Sequence, residues 1–220
     1  MTSSKASHYG KFRSKVLRSL FTSPLPAVAS HWLFQSLFYM APTERWFKIG
    51  LDIGLTLVFL LPLRQSLALA PALMFSFLAA HTLNFLFNGQ LWGVLKQYDR
   101  VHTTPQAFED YCAGLSQRGR REPSIRHLYA YGSLSRQEWT PSSDLDVRLV
   151  RYPGFSNGLR ACWFVLRERS RALVAKFPLD IYVVDRLSDL QKLSPNEPPV
   201  DILTADIILH HHSPACASKG

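Results

Sequence analysis

Two apolar stretches set close together constrain this chain more than any other feature of it. Residues 49–63 are almost continuously hydrophobic, broken by Asp52, Gly50 and Gly54, and residues 66–87 carry no formal charge at all. Only Pro62-Leu-Arg-Gln65 separates the two runs. A helix needs about 20 apolar residues to cross the hydrocarbon core of a bilayer. The second run meets that length, and the first meets it once Trp46 and Phe47 are counted, or if it is tilted or re-entrant. Two antiparallel spans joined by a very short turn are the economical solution. The alternative, a helical hairpin buried in a soluble protein, is disfavoured because 220 residues offer too little other material to cover both helices.

Charge orients the hairpin. Up to Lys48 the chain carries Lys5, Lys11, Arg13, Lys15, Arg18, Arg45 and Lys48 against Glu44 alone, a net of +6, whereas the connecting turn holds only Arg64. Lys96 and Arg100 follow the second run. Positive loops stay on the cytoplasmic side, so both termini are expected in the cytosol, with the hairpin in the cytoplasmic (inner) membrane. The same asymmetry explains the overall charge of +9 and pI near 9.7: residues 91–220 contribute only +3. With no basic and aromatic platform in the sequence, nucleic acid is not expected as a partner, whereas membrane lipids are.

The segments around the hairpin are less specific. Residues 1–45 divide into a basic arm and, over residues 27–40, a stretch mixing Trp32, Leu33, Leu37 and Tyr39 with His31, Gln35 and Ser36. That mixture suits a helix lying in the headgroup region or one buried in the cytosolic part. A cleavable signal peptide is not favoured, because no small-residue cleavage site follows an early apolar core. Within the runs, Asp52 can reach water or pair with Lys48 one turn earlier; His81, Asn84 and Asn88 share a helical face and are read as helix-to-helix hydrogen-bonding groups, with Gln90 just beyond. Cys112, Cys162 and Cys216 form no paired motif, so neither a zinc site nor a disulfide framework is indicated. The His210-His-His212 run is too short to read as a site, and Arg118-Gly-Arg-Arg121 is read as a solvated basic loop.

From residue 91 onward the pattern is that of a cytosolic α/β (α+β) domain. Helices are predicted over residues 105–117, with Phe108, Tyr111, Cys112 and Leu115 on one face, and over 156–177, with Leu159, Cys162, Trp163, Val165, Leu166, Leu173 and Val174 apolar. Strands near 126–131, 144–151 and 179–185 make a small mixed sheet. His127-Leu-Tyr-Ala-Tyr131 runs into Gly132-Ser133, a pair that allows a tight turn with backbone N–H groups aimed at an anion. A helix is expected to begin there, its N-terminal end adding to the attraction for a triphosphate. In Asp144-Leu-Asp-Val-Arg-Leu-Val150 the period-two alternation places Asp144, Asp146 and Arg148 on one face. Neighbouring carboxylates repel unless a cation separates them, and hard oxygen ligands suit Mg²⁺ or Mn²⁺. A third acid lies in the last strand: Asp180 or Asp185, with Asp180 preferred because Asp185 sits at the strand end. Three carboxylates and a phosphate cradle are the layout of a two-metal phosphoryl-transfer site.

Taken together, Gly132-Ser133, Asp144-Leu-Asp146 and Asp180 resemble the nucleotidyltransferase superfamily related to DNA polymerase β, most of all its minimal, kanamycin-nucleotidyltransferase-like branch. The resemblance covers roughly residues 124–205 and includes Arg136 and Ser143, which fall where that branch often has a basic residue and a Ser. Asn196-Glu-Pro-Pro-Val-Asp-Ile-Leu203 is similar to a short terminal segment of some such domains. The resemblance implies an enzyme in which Gly132, Ser133, Arg136 and Ser143 bind the NTP. Asp144 and Asp146 would bridge two Mg²⁺ (or Mn²⁺) ions, and Asp180 would hold the ion that activates the acceptor. The expected domains are residues 1–45, arm and interfacial helix; 46–90, transmembrane hairpin; and 91–220, nucleotidyltransferase-like domain. The expected reaction moves an NMP to an acceptor, with a lipid-linked or cell-envelope glycan intermediate as one candidate. The competing expectation is a catalytically inactive nucleotide-binding or scaffolding membrane protein.

Overall fold

The computed structural model describes residues 24–89, 91–96, 101–136, 139–190 and 198–205. The basic arm, Gln90, Arg100, Asn196, His210-His212 and Cys216 lie outside them. The chain is a mixed α/β protein whose small sheet is preceded by two long apolar helices.

Helix α1 covers Pro24–Phe34, α2 Pro42–Leu63 and α3 Leu69–Asn88. At about 1.5 Å per residue, 22 and 20 residues reach roughly 33 and 30 Å, enough for a bilayer core. Both pass the length and hydropathy test for a span, which points to membrane association. Their outer surfaces are apolar and exposed, through Ile53, Leu57, Val58 and Leu61 on α2 and Leu69, Leu73 and Phe77 on α3. The helices meet along Ala72, Ser76 and Ala80, small residues one turn apart that let the two backbones approach closely. The apolar run from Ile49 is short for a span, but α2 begins seven residues earlier. Pro42 sits in its first turn, where a missing N–H costs nothing.

That early start is possible because Glu44 and Lys48, both buried, find partners. Lys48 Nζ donates to the carbonyls of Gln35 (3.1 Å) and Asn88 (3.0 Å), and therefore does not pair with Asp52 as its spacing suggests. Asp52 instead accepts from Asn84 Nδ2 at 2.8 Å and bonds His81 Nδ1 at 3.0 Å. Asn88 donates to Asn84 at 3.3 Å. The polar face of α3 thus ties the two helices together, as its i, i+3, i+7 spacing predicts. The helix expected through Met40 stops at Phe34. Gln35 and Ser36 take φ of 45° and 60°, and Gln35 is pinned there by donating from Nε2 to His81 O at 2.9 Å while its own carbonyl receives Lys48. Helix α1 docks one flank on α3 and on α4 (Leu91–Lys96), and exposes Leu25, Leu33 and Phe34 on the other.

The sheet contains β1 (Ile125–Tyr131), β2 (Leu145–Arg151), β3 (Leu179–Val184) and the short β4 (Val200–Asp201) in the order β3-β2-β1-β4. Strands β1 and β2 are antiparallel, β2 and β3 parallel, and β4 antiparallel to β1. The parallel pair requires a crossover, supplied by α6 (Phe155–Ala175); α5 (Pro105–Arg120) precedes β1, and α7 (Leu187–Leu190) follows β3. One sheet face, with Leu128, Ala130, Leu145, Val147, Leu149, Leu179, Ile181 and Val183, is fully covered by Phe108, Cys112 and Leu115 of α5 and Ala161, Cys162, Phe164 and Val165 of α6. Leu159, Trp163 and Val174, predicted as part of that core, are exposed instead. The basic cluster before β1 is structural in part: Arg118 makes a two-pronged contact with Glu168 at 2.9 and 2.8 Å.

The first turn of α2 seals the edge of the sheet. Val183 on edge strand β3 donates its N–H to Glu44 at 2.7 Å, and Arg169 of α6 pairs with the same carboxylate at 2.7 Å while donating to Ile181 O and to Asn88 Oδ1 (2.6 Å). Unpaired strand groups are thereby satisfied by a buried ion pair, which also fixes the apolar helices against the α/β part.

Candidate active site

The second sheet face carries the polar residues. Alternation from β1 to β3 puts Tyr129, Tyr131, Asp146, Arg148, Asp180 and Tyr182 on the side opposite the core. Asp146 stands across from Tyr131 on one side and is in parallel register with Asp180 on the other. Asp144 lies just before β2 and lines the same cavity as Asp180. Asp180 therefore faces the Asp-x-Asp pair. Asp185 is engaged elsewhere, accepting from Arg151 Nε at 2.8 Å and from the Thr43 N–H at 3.3 Å. Burial works against its charge, but those hydrogen bonds more than offset it and hold the carboxyl below the ordinary range.

Gly132 follows β1 with φ of +70°, a conformation that disfavours any side chain. A Cβ there would stand 2.8 Å from Asp146 Oδ2, so the turn backbone lies directly against the carboxylate. Residues 132–136 form a single turn, closed by the Arg136 N–H on Gly132 O at 3.1 Å, rather than the expected helix start. The anion-attracting contribution is then that of the turn's own N–H groups, without a helix macrodipole behind it. The hydroxyls of Ser133 and Ser135 are buried with no hydrogen-bond partner among the described residues. A buried hydroxyl without a partner is costly in a finished fold and fits a polar ligand arriving beside it. Arg136 is exposed at the end of the turn. Ser143 is buried and acts locally: its Oγ accepts the Thr140 N–H at 2.9 Å and its own N–H bonds Thr140 O at 2.8 Å, fixing the turn that delivers Asp144.

The electrostatics of the acids are those of an uncompensated anionic cluster. Burial, then the charges of Asp144 and Asp180, push the Asp146 carboxyl up to about 7, against the opposing pull of Arg148. Among the described residues no three His, Cys, Asp or Glu side chains are grouped closely enough to hold a metal ion, while Asp146 is near enough to both Asp144 and Asp180 for their charges to raise it. Arg148 lies 3.7 Å from the Asp180 carboxylate and donates to Asp180 O at 3.3 Å. The donor set itself, carboxylates beside a tight backbone turn and two buried hydroxyls, fits Mg²⁺ or Mn²⁺ with a phosphate.

The acids open onto a cavity of about 1020 Å³, within reach of a nucleoside triphosphate in size. Its far wall comes from residues that sequence reasoning left out of the site: His31 of α1, and Ser36, Tyr39 and Met40 of the connection to α2. Burial lowers the His31 imidazole, against the pull of Asp180, and Lys48 lowers it further. Tyr182, raised by burial and then by Asp180, has the guanidinium groups of Arg148 and Arg169 at 5.0 and 5.1 Å from its ring centre. Arg148 was legible from its period-two place beside the acids; the α1 wall had no local signal. Comparisons of the chain with protein-family models, with curated proteins and with solved structures find no match.

Proposed function

We propose that the chain is a membrane-anchored, Mg²⁺-dependent nucleotidyltransferase of the superfamily related to DNA polymerase β, with the sheet and both ends of the hairpin on the cytosolic side. The observation that carries this reading is the packing of the Gly132 turn against Asp146, which is itself in register with Asp180. A phosphate-binding turn and an acidic pair in direct contact are what transfer from an NTP requires. The Gly132-Ser133 turn and the Ser133 hydroxyl hold the triphosphate, while Arg136 at the turn's end is placed to meet its outer oxygens. Asp144 and Asp146 would hold two divalent ions and Asp180 one of them. When bound, such ions neutralise charge on the reacting phosphate and favour ionisation of the acceptor.

The acceptor oxygen attacks the α-phosphorus, a new O–P bond forms, and the bond from that phosphorus to the α,β-bridging oxygen breaks. Pyrophosphate leaves, and the acceptor's proton passes to the Asp180 carboxylate. Arg148 holds that carboxylate on the cavity side. Incubation of the purified chain with labelled NTPs, Mg²⁺ and membrane extract should yield a labelled acceptor that Asp144→Asn does not make. Equal product from Asp144→Asn would remove the assignment. A second reading, a nucleotide-binding module without turnover, is favoured by Arg148, whose guanidinium lies 3.7 Å from the Asp180 carboxylate and competes with a metal ion for it. It predicts NTP binding that Mg²⁺ does not strengthen, measurable by calorimetry.

A further inference from the structure

A second, apolar groove of about 660 Å³ lies between the start of α2 and α6. Trp46, Gly50 and Leu51 form one wall, and Phe155, Leu159 and Trp163 the other. The latter three recur every four residues, so they make a stripe along α6 distinct from the stripe that faces the core. They are 81%, 43% and 52% exposed, an unusual density of large apolar groups for a water-facing helix. The α2 wall is continuous with the lipid-facing surface, since Trp46, Gly50, Ile53, Leu57 and Leu61 follow one another on a single helical face. At its other end the groove shares Pro42, Arg151 and Gly154 with the acid-lined cavity. Arg151 is fixed at that junction by Asp185, by Thr43 Oγ1 (3.0 Å) and by the Gly154 carbonyl (3.1 Å).

We infer that this groove holds the apolar chain of a membrane lipid whose phosphate-bearing head enters the cavity beside Asp180, so that the acceptor of transfer is lipid-borne. The inference rests on the nucleotidyltransferase reading and supplies its acceptor class. Three observations select a lipid chain over a protein segment. The groove has the volume of a small-molecule site, its α2 wall runs on into the exposed apolar face of that helix, and it ends at a polar cavity next to an immobilised guanidinium. Trp46 and Trp163 line it and are exposed, and indole rings favour the headgroup boundary. Gly50 leaves the space: a Cβ at that position meets nothing within 4 Å.

The test uses the full chain in phosphatidylcholine nanodiscs containing a small fraction of a single-chain alkyl phosphate that carries a photoactivated diazirine. Adducts should concentrate on the peptides bearing Trp46–Leu51 and Phe155–Trp163. Gly50→Phe, which puts a ring on the groove wall from a Cβ that meets nothing within 4 Å, should lower those adducts about tenfold, the equivalent of displacing roughly two buried methylenes. Adducts on residues 53–61 should not change. Leu159→Glu, on the half-exposed stripe, should reproduce the loss and guards against a folding defect in the first variant. Even labelling along both apolar helices, insensitivity to Gly50→Phe, or equal labelling by a choline-capped probe would each overturn the inference. Asp144→Asn should keep the groove adducts while losing transfer. Groove labelling in a protein that transfers nothing supports the groove and removes the enzyme reading; transfer to a soluble acceptor without groove labelling does the reverse.

Discussion

Asp146→Asn offers a test of the acidic cluster that does not depend on finding a substrate. The Asp146 carboxyl is pushed from 3.8 up to about 7, first by burial and then by Asp144 and Asp180. A carboxyl raised in the fold contributes stability that is fully present below its unfolded value, near 4, and lost as pH rises through about 7. At pH 8 the metal-free protein therefore carries a strained anion. Three units at about 1.4 kcal/mol each set a ceiling of about 4 kcal/mol, and with half surviving solvent and side-chain relaxation about 2 kcal/mol remains. Asn keeps the volume and removes the charge. Thermal unfolding of the chelator-treated protein in nanodiscs should show Asp146→Asn matching the parent at pH 4 and exceeding its midpoint by about 4–8 °C at pH 8. Mg²⁺ at pH 8 should raise the midpoint of the parent and not of the variant. An Asn variant less stable than the parent by the same amount at both pH values would refute the argument, because the carboxylate would then be a satisfied structural group.

The remaining predictions address the turn, the interface and the topology. Gly132→Ala should cost about 1–2 kcal/mol for its left-handed backbone and, by displacing Asp146 Oδ2, weaken Mg²⁺ binding; calorimetry showing unchanged affinity would contradict the contact. Glu44→Ala should destabilise the protein by about 3–5 kcal/mol, since it leaves Arg169 buried and unpaired, and Arg169→Met in the same chain should recover much of that loss. Additive losses in the double variant would speak against the pair. A reporter fused at the C-terminus should be active on the cytosolic side, and activity on the far side would reverse the orientation argued from charge.

The sequence alone determined the elements with strong periodicity. The apolar runs became α2 and α3 because length and hydropathy need no context, and the three main strands and two long helices lie within a few residues of their predicted places. Period-two alternation likewise set Asp146 and Arg148 on one face, as a strand must. Tertiary structure decided whatever depends on pairing across the chain. The sequence could prefer Asp180 over Asp185 only by its place in the strand, whereas the parallel register of β2 and β3 sets Asp180 beside Asp146, and only the docking of Glu44 on the sheet edge explains how α2 can begin in charged sequence. The two-sided character of α6 shows the limit most plainly. Leu159 and Trp163 have the spacing of core residues, but a hydrophobic stripe read from sequence specifies burial without specifying by what. Here α5 and the sheet take one stripe, leaving the other beside α2.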